Sequence, residues 1–230
     1  MTAEVRIIPV TGIPEVAAGD DLALLIQQAV AEQPLQDRDV VVVTQKVVSK
    51  SEGRTAPAGT KAEAVVAESR RILRRTAGGM VISETHHGFI CANAGVDESN
   101  VPDGSMVLLP VDPDASARRI RARLEHLTGR QLAVIISDTF GRAWRIGQTD
   151  TAIGVAGIEA FNDYRGHTDT QGRELQATRI AVADELAGAA ELVMGKSLGV
   201  CAAIVRGATV TFGRGAARDL VRPPGQDLFR

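Results

Sequence analysis

Two side chains that can hold a cation follow an apolar run in the segment 134–157, VIISDTFGRAWRIGQTDTAIGVAG. Asp138 and Thr139 stand at the end of this run, beside Gly141. Carboxylate and hydroxyl oxygens at a strand end are ligands that Mg²⁺ and Mn²⁺ prefer. The pattern predicts Asp138 as a metal ligand. The alternative is a turn in which Asp138 accepts hydrogen bonds from backbone N–H groups, and for an isolated aspartate that alternative is the commoner one.

Two arginines follow in the same segment, on either side of the single tryptophan of the chain. A planar guanidinium donates two parallel hydrogen bonds to a carboxylate or phosphate and keeps its charge when partly buried. We therefore predict that Arg142 and Arg145 take part in catalysis on an anionic substrate. Trp144 between them is interpreted as a surface stack or a dimer contact.

A second carboxylate lies in the segment 94–101, AGVDESNV. Asp97 can complete the cation site that begins at Asp138, with Asn100 in the same loop. The alternative is an ordinary turn in which the Asp97 side chain bonds to its own backbone. The distance in sequence between the two aspartates does not choose between these interpretations.

A third polar segment follows four consecutive valines, in 40–54, VVVVTQKVVSKSEGR. Lysines and hydroxyls past a buried strand indicate a phosphate-binding loop here, although the P-loop pattern GxxxxGK[ST] is absent. A solvated turn carries equal weight on the residues alone. The adjacent His86 and His87 have no HExxH or CxxC pattern near them, so no zinc site is predicted.

Strands and helices that must position these residues are read from apolar periodicity. Strands are predicted over 5–10, 39–44, 80–83, 89–92, 105–109, 131–137 and 200–205, and 45–54 is predicted as a polar loop. Helices are predicted from a cap at Asp20 or Asp21 to an end at Pro34, over 61–75, from a cap at Asp114 or Ser116 to Gly129, and over 181–193. Because strands and helices do not alternate regularly, the predicted class is α+β.

Composition narrows the class of partner. The 230 residues carry 26 basic and 28 acidic side chains, for a net charge of -2, without a basic stripe for nucleic acid. No apolar run reaches the ~18 residues of a membrane span. Cys91 and Cys201 lie in apolar runs and are expected to be reduced core residues. A cytoplasmic location without a membrane or nucleic-acid partner is therefore expected.

Several long segments together resemble the coenzyme F-420:gamma-glutamyl ligases, including the N-terminal half of the bifunctional actinobacterial enzymes. The segments are IIPVTGIPEV from Ile7, DVVVVTQKVVSKSEGR from Asp39, AGVDESNV from Ala94, LLPVDPDASA from Leu108, SDTFGRAWRIGQTDTAIG from Ser137, VADELAGAAELVMGK from Val182 and AIVRG from Ala203. They cover nearly the whole chain in order.

The resemblance implies one gamma-glutamyl ligase domain over 1–230, with two intertwined lobes, mixed or antiparallel sheets, packed helices and a homodimeric assembly. It implies an enzyme that uses GTP and Mg²⁺ or Mn²⁺, with K⁺ as a further ion. This enzyme adds L-glutamate to the glutamate-free deazaflavin precursor and then adds more by gamma-linkage, through an acyl phosphate, releasing GDP and phosphate. Bifunctional relatives continue into a flavin-binding domain, so the chain is interpreted as a stand-alone ligase or a trimmed one.

Site residues are carried over by the matching segments. The implied metal ligands are Asp97, Asp138 and Thr139. The implied nucleotide contacts are Ile13, Pro14, Glu15, Val16, Gln45, Lys50, Asn100, Met194, Gly195, Lys196 and Ser197. Gln45 departs from the family pattern, since many relatives have a small hydroxyl residue at this position.

Two other functions fit the same residues. A metal-dependent phosphohydrolase also uses paired aspartates with nearby arginines, and it would release phosphate without glutamate. A non-catalytic guanine-nucleotide-binding protein would hold GTP without turnover.

Overall fold

The computed structural model describes residues 4–99 and 104–227. The helices are α1 (Leu22–Ala29), α2 (Gln45–Ser51), α3 (Lys61–Ala67), α4 (Pro113–Thr128) and α5 (Val182–Met194). The strands are β1 (Arg6–Val10), β2 (Val40–Thr44), β3 (Thr55–Pro57), β4 (Ser69–Arg75), β5 (Val81–Thr85), β6 (Ile90–Ala92), β7 (Ser105–Val107), β8 (Ala133–Arg142), β9 (Arg145–Ala156), β10 (Asn162–Asp163), β11 (Arg179–Ile180) and β12 (Ala202–Arg206). This mixture of several sheets and helices confirms the α+β class.

A five-stranded sheet in the order β1-β12-β2-β8-β9 forms the centre of the fold. Only the β2–β8 pair within it is parallel. The four valines of β2 alternate between two apolar cores: Val41 and Val43 pack with α1 and α4, while Val40 and Val42 pack with α5. This confirms the prediction that β2 is buried on both faces.

Both long helices of the first core begin at an aspartate. The Asp21 carboxylate accepts a hydrogen bond from Leu24 N at 3.1 Å, as predicted for α1. For α4 the predicted caps, Asp114 and Ser116, are wrong by two and four residues, because Asp112 accepts from Ala115 N at 2.8 Å. Proline at the first helical position, Pro113, needs no N–H there. Gly129 ends α4 with a φ of 66°, as predicted.

The segment between β2 and α4 forms two smaller sheets, β3-β7 and β4-β5-β6. They enclose a third apolar core, which contains Val65, Val81, Val96, Met106 and Leu108. The strands predicted over 80–83 and 89–92 are confirmed as β5 and β6, which pair as a hairpin with His86 and His87 between them.

The helix predicted over 61–75 is wrong in its second half. α3 ends at Ala67, and Ser69–Arg75 forms β4, antiparallel to β5. Arginine has good helix propensity, but pairing with β5 overrides it. The side chain of Arg71 donates to Glu84 across the pair at 3.0 Å.

The loop predicted over 45–54 is also wrong, because α2 occupies most of it. Gln45, Val48 and Ser49 are all buried, at the i, i+3, i+4 spacing of one helical face. Polar residues on this inner face concealed the apolar periodicity. None of the helices in the described part of the chain is both long and apolar enough to cross a membrane.

Candidate active site

A cleft of about 380 Å³ opens at the end of the central sheet where β2 gives way to α2. Thr44 closes β2 beside its parallel partner Ser137, and from there β8 continues past the edge of the sheet as a hairpin with β9. The cleft is lined by Ile13, Pro14, Glu15, Val16, Thr44, Gln45, Lys46, Val47, Lys50, Asp97, Ser137, Asp138, Thr139, Asp150, Gly195, Lys196, Ser197, Gly199, Val200 and Cys201. Six separated stretches of the chain therefore meet at one place.

Asp138 lies deep in this cleft and has an unusual environment for a carboxylate. Burial raises its pKa to about 7, even though Thr139 N–H donates to it and Lys196 attracts it. The negative charges of Asp150 and Asp97 raise the pKa further. A carboxylate that is buried close to two others is a place where a cation is stabilising.

A hydroxyl network surrounds Asp150 on the neighbouring strand. Asp150 is 4% exposed and stands opposite Thr139 in the β8–β9 register. Its carboxylate accepts from Ser137 Oγ at 2.8 Å and from Thr139 Oγ1 at 2.5 Å. Lys196 Nζ donates to Thr139 Oγ1. Because the Thr139 hydroxyl points its proton at Asp150, its lone pairs face other groups in the cleft.

Asp97 reaches the cleft from the loop before β7 and is held on two sides. Lys46 Nζ lies 2.9 Å from Asp97 Oδ2, and Ser99 donates through N and Oγ at 2.8 and 2.9 Å. Burial alone would raise the pKa of Asp97, but the hydrogen bonds from Lys46 and Ser99 outweigh it and lower the pKa. The turn proposed as the alternative for Asp97 is therefore present, and the same carboxylate still lines the cleft.

α2 contributes the opposite wall. Lys50, with 11% of its side chain exposed, donates to Glu15 Oε1 at 2.5 Å. Gln45 is buried and accepts from Ser49 Oγ at 3.0 Å through Oε1. Gln45 is the residue that departs from the family pattern, and within the chain its side chain contacts Ser49.

Most of the candidate residues line the cleft, and among those that the structure describes three do not. Met194 is buried in the α5 core, although Gly195, Lys196 and Ser197 line the cleft. Arg142 and Arg145 lie at the far end of the β8–β9 hairpin, exposed, and Arg142 donates to the Ile146 carbonyl at 2.9 Å. Asn100 lies outside the described residues. The geometry within one chain therefore does not support a catalytic contact by either arginine.

The oxygen-rich donor set of the cleft fits a hard divalent cation. Among the described residues, however, no three carboxylate, imidazole or thiol side chains converge as a ready metal cage. Mg²⁺ is commonly held by one or two carboxylates together with substrate phosphates and water. Asp97, Asp138 and Thr139 fit that arrangement, in which the ligand supplies part of the coordination sphere.

Lys46, Ser137, Asp150 and Cys201 also line the cleft, although they were not among the assigned contacts. Asp150 could have been found from the sequence, because a tight hairpin after Asp138 places Thr139 opposite a residue near 150. Cys201 had none, since it sits in an apolar run. Burial raises the pKa of its thiol, so it is a poor nucleophile near neutral pH.

Comparison with known proteins gives one consistent result. The model of the family described as F420-0:Gamma-glutamyl ligase matches residues 11–60 and 55–207. A protein of Methanothermobacter thermautotrophicus named coenzyme F420:L-glutamate ligase is 45% identical, over 98% of this chain and 99% of the relative. Proteins with the same name from Methanocaldococcus jannaschii and Methanopyrus kandleri are 39% and 41% identical, over 100% and 98% of this chain and 100% and 97% of the relatives.

Proposed function

Since the chain belongs to the F420-0:gamma-glutamyl ligase family, we propose that it joins L-glutamate to the glutamate-free precursor of coenzyme F420, with GTP as the energy source. Further glutamates are then added through gamma-linkages. The observation that carries this proposal is the cleft itself, where three lysines and three aspartates from separated segments meet. A nucleoside triphosphate with its cation needs this combination of charges.

The reaction must overcome the low reactivity of a carboxylate toward an amine. In the first step the γ-phosphoryl group of GTP moves to an oxygen of the acceptor carboxylate, and GDP leaves. In the second step the glutamate amine attacks the acyl carbon, the C–O bond to phosphate breaks, and the nitrogen loses a proton. The products are an amide, GDP and phosphate. Positioning and electrostatic stabilisation supply most of the catalysis in such transfers.

The side chains of the cleft have different roles in the proposed reaction. Asp97, Asp138 and Thr139 hold a divalent cation, Mg²⁺ or Mn²⁺, which when bound neutralises phosphate charge. Lys46 and Lys50 belong to α2, line the cleft and attract the phosphates. Their carboxylate partners, Asp97 and Glu15, hold the ammonium groups in place. K⁺ is included in the proposal as an additional ion.

A homodimer also belongs to the proposal. Trp144 and Ile146 lie at the tip of the β8–β9 hairpin with 78% and 101% exposure. Large apolar side chains on a projecting hairpin indicate a protein interface. We assign this interface to a second copy of the chain.

The direct test supplies the protein with the precursor, GTP, Mn²⁺ or Mg²⁺ and L-glutamate, with and without K⁺. Mass spectrometry should find successive glutamyl additions, with one GDP and one phosphate per amide bond. Phosphate release without glutamate would instead identify a phosphohydrolase. GTP binding without turnover on the precursor would identify a non-catalytic binding protein. Either result contradicts the proposal.

Variants connect this activity to the cleft. Asp138→Ala should lower kcat by about 10²–10³-fold, because the cation loses a ligand in a water-poor site.

Lys50→Ala should mainly raise the KM for GTP, by about tenfold, since one charged contact is worth ~1.5 kcal/mol. Asp163→Ala is the matched control, because Asp163 is exposed, pairs with Arg165 and does not line the cleft. Equal loss in all three variants would refute the assignment.

A further inference from the structure

A second cavity, of about 290 Å³, lies beside the β8–β9 hairpin and has no role in the function proposed above. It is lined by Gly88, Phe89, Ile90, Phe140, Thr151, Ala152, Asp184, Ala217, Leu220, Val221, Arg222 and Asp227. Its walls come from β6, both strands of the hairpin, the start of α5 and the segment after β12.

This cavity and the cleft share the hairpin as a common wall. Thr151 lines the cavity, and its register partner Asp138 lines the cleft. Thr151 Oγ1 donates to the Asp138 carbonyl at 3.4 Å. Phe140 lies two residues beyond Asp138 on β8, so their side chains project from the same face of the strand, about 6.5 Å apart along it. A ligand in the cavity is therefore within a short chain's reach of Asp138.

The lining suits a flat aromatic ligand. Phe89 and Phe140 form a tilted pair, with ring centroids 6.1 Å apart. His87 stacks on Phe89 at 5.5 Å, and its Nε2 is hydrogen-bonded to the Pro110 carbonyl at 2.9 Å, which holds the stack in place. Aliphatic side chains complete the walls, while Arg222, Asp184 and Asp227 supply polar atoms. Aromatic and aliphatic walls with few polar groups are typical of cofactor sites.

Three further cavities in the described part of the chain lie elsewhere. One is bounded by residues of α1 and the end of α4, one by α3 and the β4–β5 turn, and one by β1 and the end of β12. None of these three includes a residue of the β8–β9 hairpin. The cavity at Phe140 is thus the one among them that adjoins the cleft along the strands carrying Asp138 and Asp150.

We propose that the cavity at Phe89 and Phe140 binds the fused aromatic ring system of the acceptor, while the acid tail of the acceptor passes Thr151 to reach Asp138. The inference rests on the proposed function, because it takes the acceptor to be a ring-bearing carboxylic acid. It also divides the substrates between two compartments: the nucleotide occupies the cleft on the α2 side, and the acceptor ring occupies the neighbouring cavity at Phe140.

The test uses a fragment of the acceptor that keeps the deazaflavin ring but has no carboxylate. Such a fragment is not a substrate, so its binding is measured by calorimetry without GTP or metal. Ile90 lines the cavity at 39% exposure, so Ile90→Trp fills the space from the rim without disturbing a buried position. This variant should raise the Kd for the fragment by about tenfold or more. Phe140→Leu, which removes one aromatic wall, should also weaken binding.

Val66→Trp is the matched control, because Val66 is an exposed residue of α3 that does not line the cavity. It should bind the fragment like the wild type. In steady-state ligation, Ile90→Trp should raise the KM for the acceptor and leave the KM for GTP unchanged.

The outcomes separate the two proposals. If the protein ligates no glutamate but binds the fragment, and Ile90→Trp weakens this binding, the proposed function is refuted and the ring site is supported. Ligation by a protein whose Ile90→Trp variant keeps the wild-type acceptor KM and fragment Kd would refute the ring site alone. A change of oligomeric state in Ile90→Trp with unchanged fragment binding would assign the cavity to a partner chain and also refute it.

Discussion

At the level of single residues, the central feature is how neighbouring carboxylates take different roles. Asp97 is paired with Lys46, whereas Asp138 has its pKa raised to about 7 by burial and by the charges of Asp150 and Asp97. Asp150 accepts two hydroxyl hydrogen bonds. Environment, rather than residue type, therefore distinguishes three aspartates in one cleft.

Asp150 gives a prediction at this scale. A carboxylate behind a metal-binding hydroxyl fixes its orientation and increases its basicity, and losing such a partner typically weakens metal binding by about 10–100-fold. Asp150→Asn should show this loss for Mn²⁺ in calorimetry with a non-hydrolysable GTP analogue present. The amide keeps the size of the side chain but offers only one acceptor oxygen.

Ser137→Ala is the control for that variant, because it removes one hydroxyl from Asp150 and leaves the Thr139 contact in place. Its Mn²⁺ affinity should stay within about threefold of the wild type, since a single neutral hydrogen bond contributes little net free energy. An Asp150→Asn protein with unchanged Mn²⁺ affinity would show that Asp150 has no part in orienting Thr139.

At the level of elements, the β8–β9 hairpin supplies four of the polar side chains that line the cleft. Its base bears Ser137, Asp138, Thr139 and Asp150, and its tip bears Trp144 with a φ of 58°. Antiparallel pairing places residues of β8 and β9 opposite each other, so side chains eleven to thirteen positions apart form one site. The tip lies beyond the central sheet and projects its apolar residues outward.

The hairpin tip gives a prediction about assembly. If the tip packs on a second copy, Ile146→Glu buries a charge at the contact and should raise the dimer dissociation constant by about 10²-fold or more. Light scattering after size-exclusion chromatography measures the change. Leu192→Glu, at an exposed apolar residue of α5, should leave the mass unchanged. A wild-type monomer, or an Ile146→Glu dimer as stable as the wild type, would argue against this interface.

At the level of the whole molecule, one buried ion pair connects the ends of two central strands. Asp39 is 1% exposed and precedes β2, and Arg206 ends β12. The guanidinium donates to both carboxylate oxygens, from Nε at 2.9 Å and Nη2 at 2.7 Å. Asp39 also accepts from Gln36 N at 2.8 Å. The pair therefore holds the order of β12 and β2 at the end of the sheet opposite the cleft.

Arg206→Ala should lower the free energy of unfolding by about 3 kcal/mol, because it leaves a buried carboxylate without its cation. Urea denaturation followed by circular dichroism measures this. Arg165→Ala removes an exposed pair with Asp163 and should leave the free energy of unfolding nearly unchanged, because solvent screens that pair. Similar losses in both variants would mean that burial does not determine the contribution of the Asp39–Arg206 pair.

The amino-acid sequence by itself determined the α+β class, most of the strands, three of the helices nearly in full, and the polar segments that line the cleft. Those features are local, because apolar periods of 2 and 3.6 residues and capping residues act over a few positions. The sequence of 61–75 was insufficient to predict the secondary structure of its second half, since Ser69–Arg75 becomes a strand only through its pairing with β5. α2 was missed because part of its buried face is polar, with Gln45 and Ser49 bonded to each other.

Only the tertiary structure decided which polar segments meet. It brought Asp97 close enough to Asp138 for their charges to interact and gave Asp150 the hydroxyls of Ser137 and Thr139. It also removed Arg142 and Arg145 from the cleft within one chain. Such contacts join residues far apart in sequence, and they depend on strand order, register and packing of the whole domain. No local pattern records those quantities, because each local segment is compatible with many arrangements of its neighbours.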